Sequence, residues 1–428
     1  MTLSEWSQNS DLAEKIREKR FLILFSSVVC VYAAIFLLTG HRGEVLRENF
    51  FYGDALINGV LPFEPYNDLN WEYPPLAYLF LLIPRLFASD PYGYQAAYVV
   101  MITIFILIGL VLIRKVSLKY GKNEVILMGL YVFTMVMHAQ FFFDRFDIIV
   151  GVITISAVYL YLEKRYPSAF LLLVVGMFIK LYPGLFFLIF LIPLIVSDRK
   201  NALGSFATFV ISSVVLIIPF ALMSPDNFLN FLSYHSDRGI QLESVAASFI
   251  LLLENFGLTS TYTNNVFWSF NIEGGLADTI LPIMMPLLIS AVLAFYLLYY
   301  VWCKKKGGGA ESILWASFAV LMIFIVFNKV FSAQYIIWIM MALIPFAASV
   351  EDKDRFKLFL LMFVSMILIA YIFDMMYVGL CYHEPFAVMV LLMRNLMAIA
   401  MTIAVIRYSG LHRIVMDSIR SHRYDGAE

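Results

Sequence analysis

Charge is scarce in this chain of 428 residues: Asp, Glu, Lys and Arg together make up only 14% of it. Apolar residues make up 62%, and the mean hydropathy is +0.83. A water-soluble domain of this length could not bury that much apolar surface, so the composition excludes an ordinary soluble enzyme and points to a bilayer. Cysteine is also sparse. Cys30, Cys303 and Cys381 lie far apart with no metal-binding or redox spacing, which argues against a disulfide framework and leaves core or lipid-facing roles. No strong internal repeat is visible, and the net charge of -1 carries no information about partners. Residues 1–20 are polar and end in EKIREKR, and the apolar run that follows is long enough to span; it is expected to be a retained anchor, not a cleaved leader.

A membrane span needs about 20 apolar residues. Spans are expected near 21–40, 94–114, 124–142, 148–163, 168–180, 182–196, 203–223, 277–302, 311–327, 331–349, 357–379 and 386–407, about twelve transmembrane helices in an all-α polytopic protein. Tyr182-Pro183-Gly184 favours two short helices over one kinked helix, because Pro and Gly interrupt the backbone ladder.

The distribution of basic residues sets the orientation. Clusters at Lys15–Arg20, Arg114–Lys122, Lys164/Arg165, Arg199/Lys200, Lys304–Lys306, Lys353–Lys357 and Arg407–Arg423 all fall on one side of a twelve-span chain. That side is expected to be cytoplasmic, with polar tails at 1–20 and 408–428 and a single transmembrane catalytic domain over 21–407. KKKGGG at 304–309 reads as a charged cytoplasmic turn. The segment PPLAYLFLLIPRLFA (74–88) cannot cross without inverting this pattern, so it is expected to lie as a helix in the outer interface, started by Pro74-Pro75. SVAASFILLLENFG (244–257) is a second short apolar segment, inside the outer loop 223–276.

The outer loops 41–93 and 223–276 hold most of the remaining polar residues. Arg42, Arg47, Arg85, Arg145, Lys180, Arg238 and Lys329 lie outside against the charge trend, and Arg394 sits within the last span. Charges at membrane depth usually have a partner or a task. Snorkelling or a structural ion pair accounts equally well for Arg42, Arg47 and Arg85. Lys180, Arg238 and Lys329 sit in FIKLYPGL, SYHSDRGIQLES and FNKVFSAQY, among polar and aromatic residues. With His235 they form a set of donors suited to an anionic ligand, a phosphate above all. Arg145 and Asp147 in FFFDRFDIIVG are close enough to pair with each other.

The stretch FFYGDALINGVLPFEPYNDLNWEYPPL (51–76) carries Asp54, Glu64, Asp68 and Glu72 and no Lys or Arg. A carboxylate in a partly dry aromatic cleft can act as a general base. Asp54, beside Tyr52 and Gly53, is the first candidate; a solvated loop aspartate is the plainer alternative. Trp71, Tyr66 and Tyr73 fit either sugar stacking or interface anchoring.

The ordered set Asp54 with LINGVLPFEPY, EYPPL, FDIIVG, KLYPGL, HSDRGIQLES and FNKVFSAQYIIW resembles the GT-C superfamily of membrane glycosyltransferases, and within it glycosyltransferase family 87, over residues 20–410. The resemblance implies a GT-C-like fold with interfacial helices in the outer loops. It implies an inverting transfer of a sugar, mannose by family habit, from a polyprenyl-phosphate donor to a glycolipid or glycan acceptor. It places the active site on the extracytoplasmic side of the plasma membrane and the catalytic aspartate in the first outer loop, which Asp54 fits. Phosphate contacts are then expected from Lys180, His235, Arg238 and Lys329. Sugar or acceptor contacts are expected from Asp68, Glu72, Tyr73, Asp147, Glu243 and Gln334. Asp68 and Glu72 are extra acids that leave the identity of the base open. No cofactor, metal or nucleic acid is expected; the partners are the lipid-linked donor, the acceptor and membrane lipids. A polytopic transporter is the contrary reading, weakened by the absence of matching halves with paired broken helices. A lipid-linked glycan ligase or polymerase is a further one, for which a large late loop would be expected.

Overall fold

The computed structural model describes residues 3–39, 43, 45–63, 71–232, 238–266 and 269–413. Each of the twelve expected segments is met by a helix or a broken pair of helices. Helix α1 (Leu3–Leu38) leads into a π-turn at Val45–Asn49, a short α2 (Phe50–Ile57) and α3 (Pro75–Arg85). Next come α4 (Pro91–Lys119), α5 (Glu124–Met137), α6 (Ala139–Phe143), α7 (Asp147–Leu162) and α8 (Tyr166–Ile179). A 3-10 turn at Tyr182–Leu185 separates α8 from α9 (Phe186–Ser197), so the Tyr-Pro-Gly break does divide two helices. The chain continues through α10 (Arg199–Met223), α11 (Val245–Asn255), α12 (Gly275–Lys306), α13 (Ser312–Phe327), α14 (Tyr335–Ser349), α15 (Lys353–Met375), α16 (Tyr377–Cys381) and α17 (Pro385–Ser409).

Among the described residues six helices are long and apolar enough to cross a membrane: α1 from Lys19, α4, α10, α12, α15 and α17. The others are shorter. α7, α13 and α14 have 16, 16 and 15 residues, about 22–24 Å of rise against a hydrocarbon layer of about 30 Å. They are also the most enclosed: every residue from Ile336 to Ala348 of α14 is buried, and so is every one from Ser312 to Met322 of α13. Inner helices need not reach the headgroups, because protein surrounds their ends. Where they stop short at one end of the bundle, a recess opens.

The basic connections meet at the other end. Lys119 pairs with Glu163 at 2.8 Å, Arg114 with Glu124 at 2.7 Å, and the Lys122 ammonium lies 5.4 Å from the Phe356 ring centre. These contacts join the ends of α4, α5, α7 and α15.

Two features went unanticipated. A three-stranded antiparallel sheet of β1 (Ile240–Gln241), β2 (Tyr262–Val266) and β3 (Ser269–Glu273), in the order β1-β3-β2, lies in the second polar loop. The span expected from 331 begins as a helix only at Tyr335. Residues 329–331 are held outside the helix instead: Gln241 N–H donates to the Lys329 carbonyl at 2.9 Å, and the Arg394 guanidinium donates to the Phe331 carbonyl at 3.2 Å.

Candidate functional site

The recess where the short helices stop is a cavity of about 650 Å³. Its wall is assembled from connections far apart in sequence. Glu48 comes from the turn after α1, Glu72 and Tyr73 from the approach to α3, Arg145 from the α6–α7 link and Lys180 from the α8–α9 break. Arg238, Gln241 and Glu243 come from the second polar loop, Gln334 and Tyr335 from the start of α14, and Asp374 and Tyr377 from the end of α15. Two loop-one carboxylates and three cations therefore share one space.

Lys180 follows α8 in extended backbone, because the 3-10 turn over Tyr182–Leu185 prevents the helix from continuing. Its ammonium donates to Asp147 Oδ1 at 2.7 Å and lies 5.1 Å from the Phe146 ring centre and 5.8 Å from that of Tyr73. Asp147, at the first turn of α7, is 1% exposed, and the same oxygen accepts from Trp338 Nε1 at 2.6 Å. Trp338 in turn stacks between Tyr182 and Tyr335, at centroid distances of 4.3 and 3.7 Å. The partner of Asp147 is thus Lys180, not Arg145 as the sequence spacing allowed, and Asp147 stands behind the cavity wall and fixes Lys180 in it.

Tyr73 donates its backbone N–H to the Tyr78 hydroxyl at 2.9 Å and packs edge-on against Phe146 at 4.8 Å. Burial pushes its phenol well above the ordinary range, and the adjacent Glu72 carboxylate adds to the rise, so the hydroxyl stays a donor.

Glu243 closes the cavity on the far side. Burial raises its carboxyl from the usual range to about 7, against the opposing pull of Arg394. Arg394 reaches it from α17: Nη1 lies 3.4 Å from Glu243 Oε2 and Nη2 donates to the Glu243 carbonyl at 2.5 Å. The guanidinium is sandwiched by Phe331 and Phe373 at 4.2 and 4.9 Å. Gln241 Nε2 donates to Ser332 Oγ at 2.8 Å, and its Oε1 accepts from Phe331 N–H at 2.8 Å. This network ties the second polar loop to the segment before α14.

Several expectations are redirected. Asp54 does not line the cavity. Its Oδ1 accepts from Arg85 Nε at 3.1 Å and Nη2 at 2.9 Å, and Asn58 Nδ2 donates to Oδ2 at 3.2 Å. The reason is helical geometry. Within α2, Asp54 is two residues beyond Tyr52 and so turned about 160° from it, while Glu48 lies in the preceding π-turn. Tyr52 packs on Trp71, Tyr73 and Tyr78, and it is Glu48 that faces the recess. Lys329 is also absent from the cavity wall; it is buried, and its ammonium donates to the Arg238 carbonyl, so it holds the Arg238 backbone. Trp71 is in the aromatic core, 4.8 Å from Tyr78. Asp68, His235 and Tyr66 lie outside the described residues. Glu72, Tyr73, Lys180, Arg238, Glu243 and Gln334 are brought together. Glu48 lies just before the acidic stretch 51–76 and carries no local sequence signal of a place in the cavity. Among the described residues no group of three His, Cys, Asp or Glu side chains is arranged to hold a metal ion.

A helical membrane bundle with a recess lined by both carboxylates and cations has the form of a membrane protein that handles an anionic ligand. The model of glycosyltransferase family 87 matches residues 71–327, more than half of the chain, and the protein belongs to that family. Among solved structures, the crystal structure of ArnT from Cupriavidus metallidurans bound to undecaprenyl phosphate is similar in overall shape. The TM-score is 0.48 at 13% identity, over 92% of this chain and 78% of that one. None of the curated proteins matches the chain.

Proposed function

We propose that the protein is an inverting glycosyltransferase that uses a polyprenyl-phosphate sugar, with mannose the sugar that the family resemblance points to. The acceptor is a hydroxyl of a glycolipid or glycan. The bundle over 21–407 works as one catalytic domain in the plasma membrane, with both termini cytoplasmic and the cavity extracytoplasmic. The observation that supports this most directly is the meeting of Glu48 and Glu72 with Arg145, Lys180 and Arg238 in one recess of a family 87 chain. A cavity of about 650 Å³ is in the range of small-ligand sites.

In this reading the donor phosphate sits against Lys180 and Arg238, with Arg145 in the same cavity wall, and the lipid tail runs between helices. Glu48 or Glu72 takes the proton of the acceptor hydroxyl as its oxygen attacks the anomeric carbon. The bond from that carbon to the phosphate oxygen breaks, its electron pair passes to the phosphate, and the configuration inverts without a covalent sugar–enzyme intermediate. The cations offset the charge that grows on the leaving oxygen; losing one such contact costs on the order of 10²–10³ in rate. Tyr73 and Tyr335 offer ring faces and hydroxyls to the sugar. Asp147 and Lys329 act indirectly, by holding Lys180 and the Arg238 backbone.

The test is turnover of purified protein in proteoliposomes with a radiolabelled polyprenyl-phosphate sugar. Release of free polyprenyl phosphate with label gained by an acceptor is expected, and Arg238→Ala is expected to lower it on the order of 10²-fold. Solute flux without release of the lipid phosphate would instead identify a carrier.

A further inference from the structure

The end of the bundle away from the catalytic recess holds a second cavity, of about 720 Å³. It is lined by Lys305 and Lys306 at the end of α12, Arg355 at the start of α15, and Arg407 and Arg413 at and just beyond the end of α17. Trp302 and Tyr408 form its floor. Both α12 and α17 end on a glycine in the left-handed region, Gly307 at φ +86° and Gly410 at φ +73°. The cations at the ends of both helices line one cavity. Trp302 Nε1 donates to the Ser409 carbonyl at 2.9 Å, and the Arg355 guanidinium lies 5.7 Å from the Tyr408 ring centre, which fixes three helix ends relative to one another.

Two properties set this cluster apart from the other basic connections. Lys119 and Arg114 at the same end are paired with Glu163 and Glu124. None of the five cavity cations has a carboxylate within salt-bridge distance among the described residues, and no acidic residue lines the cavity. Glu311, Glu351 and Asp352 are nearby, in the electrostatic neighbourhood of Tyr408, but Asp352 is spent on the N–H groups of Asp354 and Arg355. Favourable interaction with helix C-termini accounts for Lys305, Lys306 and Arg407 in part. It does not account for Arg355, which sits at a helix start.

The exposed apolar surface of the same three helices indicates the source of the ligand. Leu297 (68% exposed) on α12, Ile403 (48%) on α17, and Leu358 and Leu361 (49% and 65%) on α15 lie within three turns of the cavity cations along their helices. A soluble phosphate would use the cations and ignore this surface; a phospholipid would use both. On α15, nineteen residues separate Arg355 here from Asp374 in the catalytic recess, about 29 Å along the axis, close to the thickness of the hydrocarbon layer.

We propose that this cavity binds the headgroup of an anionic phospholipid of the leaflet opposite the catalytic recess, with phosphodiester oxygens on Lys305, Lys306, Arg355 and Arg407 and acyl chains along α12 and α15. Five cations in one cavity favour a headgroup carrying two phosphates over one.

Native mass spectrometry of the purified full-length protein tests this, with phosphatidylcholine, phosphatidylglycerol and cardiolipin each added at equal concentration. Retention is expected to rise from the first lipid to the last. The triple variant Lys305→Gln/Lys306→Gln/Arg355→Gln is expected to lose affinity for the anionic lipids on the order of 10²-fold. The double variant Arg407→Gln/Arg413→Gln should lose about tenfold, and Lys115→Gln, at the same end but outside the cavity, about twofold or less. Equal retention of the three lipids, or equal losses in Lys115→Gln and the cavity variants, would overturn the assignment. Displacement of bound cardiolipin by inorganic pyrophosphate at matching concentration would overturn the lipid source and identify a site for a soluble phosphate.

Discussion

Asp54 and Glu48 are six residues apart, one in α2 and the other in the π-turn before it, yet they have different neighbours and are assigned different work. Asp54 is half-exposed and paired with Arg85, a contact of the kind worth about 1 kcal/mol or less. Asp54→Asn is therefore expected to keep most transfer activity and to lower stability slightly, read as turnover and melting temperature. Glu48→Gln and Glu72→Gln should separate: the variant at the proton acceptor should lose on the order of 10²–10⁴ in turnover, and the other should mainly weaken acceptor binding. Full activity in both, with loss in Asp54→Asn, would return the role to Asp54. Glu243 gives a pH prediction. Its carboxyl titrates near 7 in the folded chain because burial disfavours the charge. The folded state thus holds the proton more tightly than the unfolded one. The stability this contributes is complete below the ordinary carboxylate range and is lost as pH rises through about 7. Melting temperature should fall over that window, and Glu243→Gln should flatten the fall; an unchanged slope would mean that Glu243 is not the group responsible.

The short helices are the elements that make a recess possible. α7, α8 and α14 have 16, 14 and 15 residues, about 21–24 Å of rise, and Asp147, Lys180 and Tyr335 sit at or just beyond their ends. The Lys180–Asp147 pair locks two of them together. Breaking a buried pair from one side leaves an uncompensated charge, at a cost of about 3–5 kcal/mol. Lys180→Met and Asp147→Asn are each expected to destabilise the protein strongly, and the double variant to recover a large part of the loss in a thermal-unfolding cycle. Additive losses would show that the two side chains do not depend on each other. Most helices were legible in the sequence, since an apolar run in lipid has little choice but to close its own hydrogen bonds. The boundary at Tyr335 was not, because residues 329–331 are drawn out of the helix by Gln241 and Arg394, and partners so distant leave no local signal. The sheet in the second polar loop was hidden for a similar reason: β1 has two residues and exists only by pairing with β3.

At the scale of the whole molecule, charge divides the bundle into a basic end and an end that carries the recess proposed as the active site. The expected sidedness is testable with Gly309→Cys, in an exposed turn at the basic end, on a background lacking Cys30, Cys303 and Cys381. A membrane-impermeant maleimide should label it in inside-out vesicles and not in intact cells; the reverse would put the recess in the cytoplasm.

The amino-acid sequence by itself determined that this chain lives in a membrane, roughly where it crosses, and that most of its cations cluster in the connections of one parity, because hydropathy and charge act through solvent transfer and need no partner. Only the tertiary structure decided which polar residues meet. Glu48 faces the recess and Asp54 does not, and Lys180 finds Asp147, because a side chain's direction is set by helix phase and by contacts more than thirty residues away.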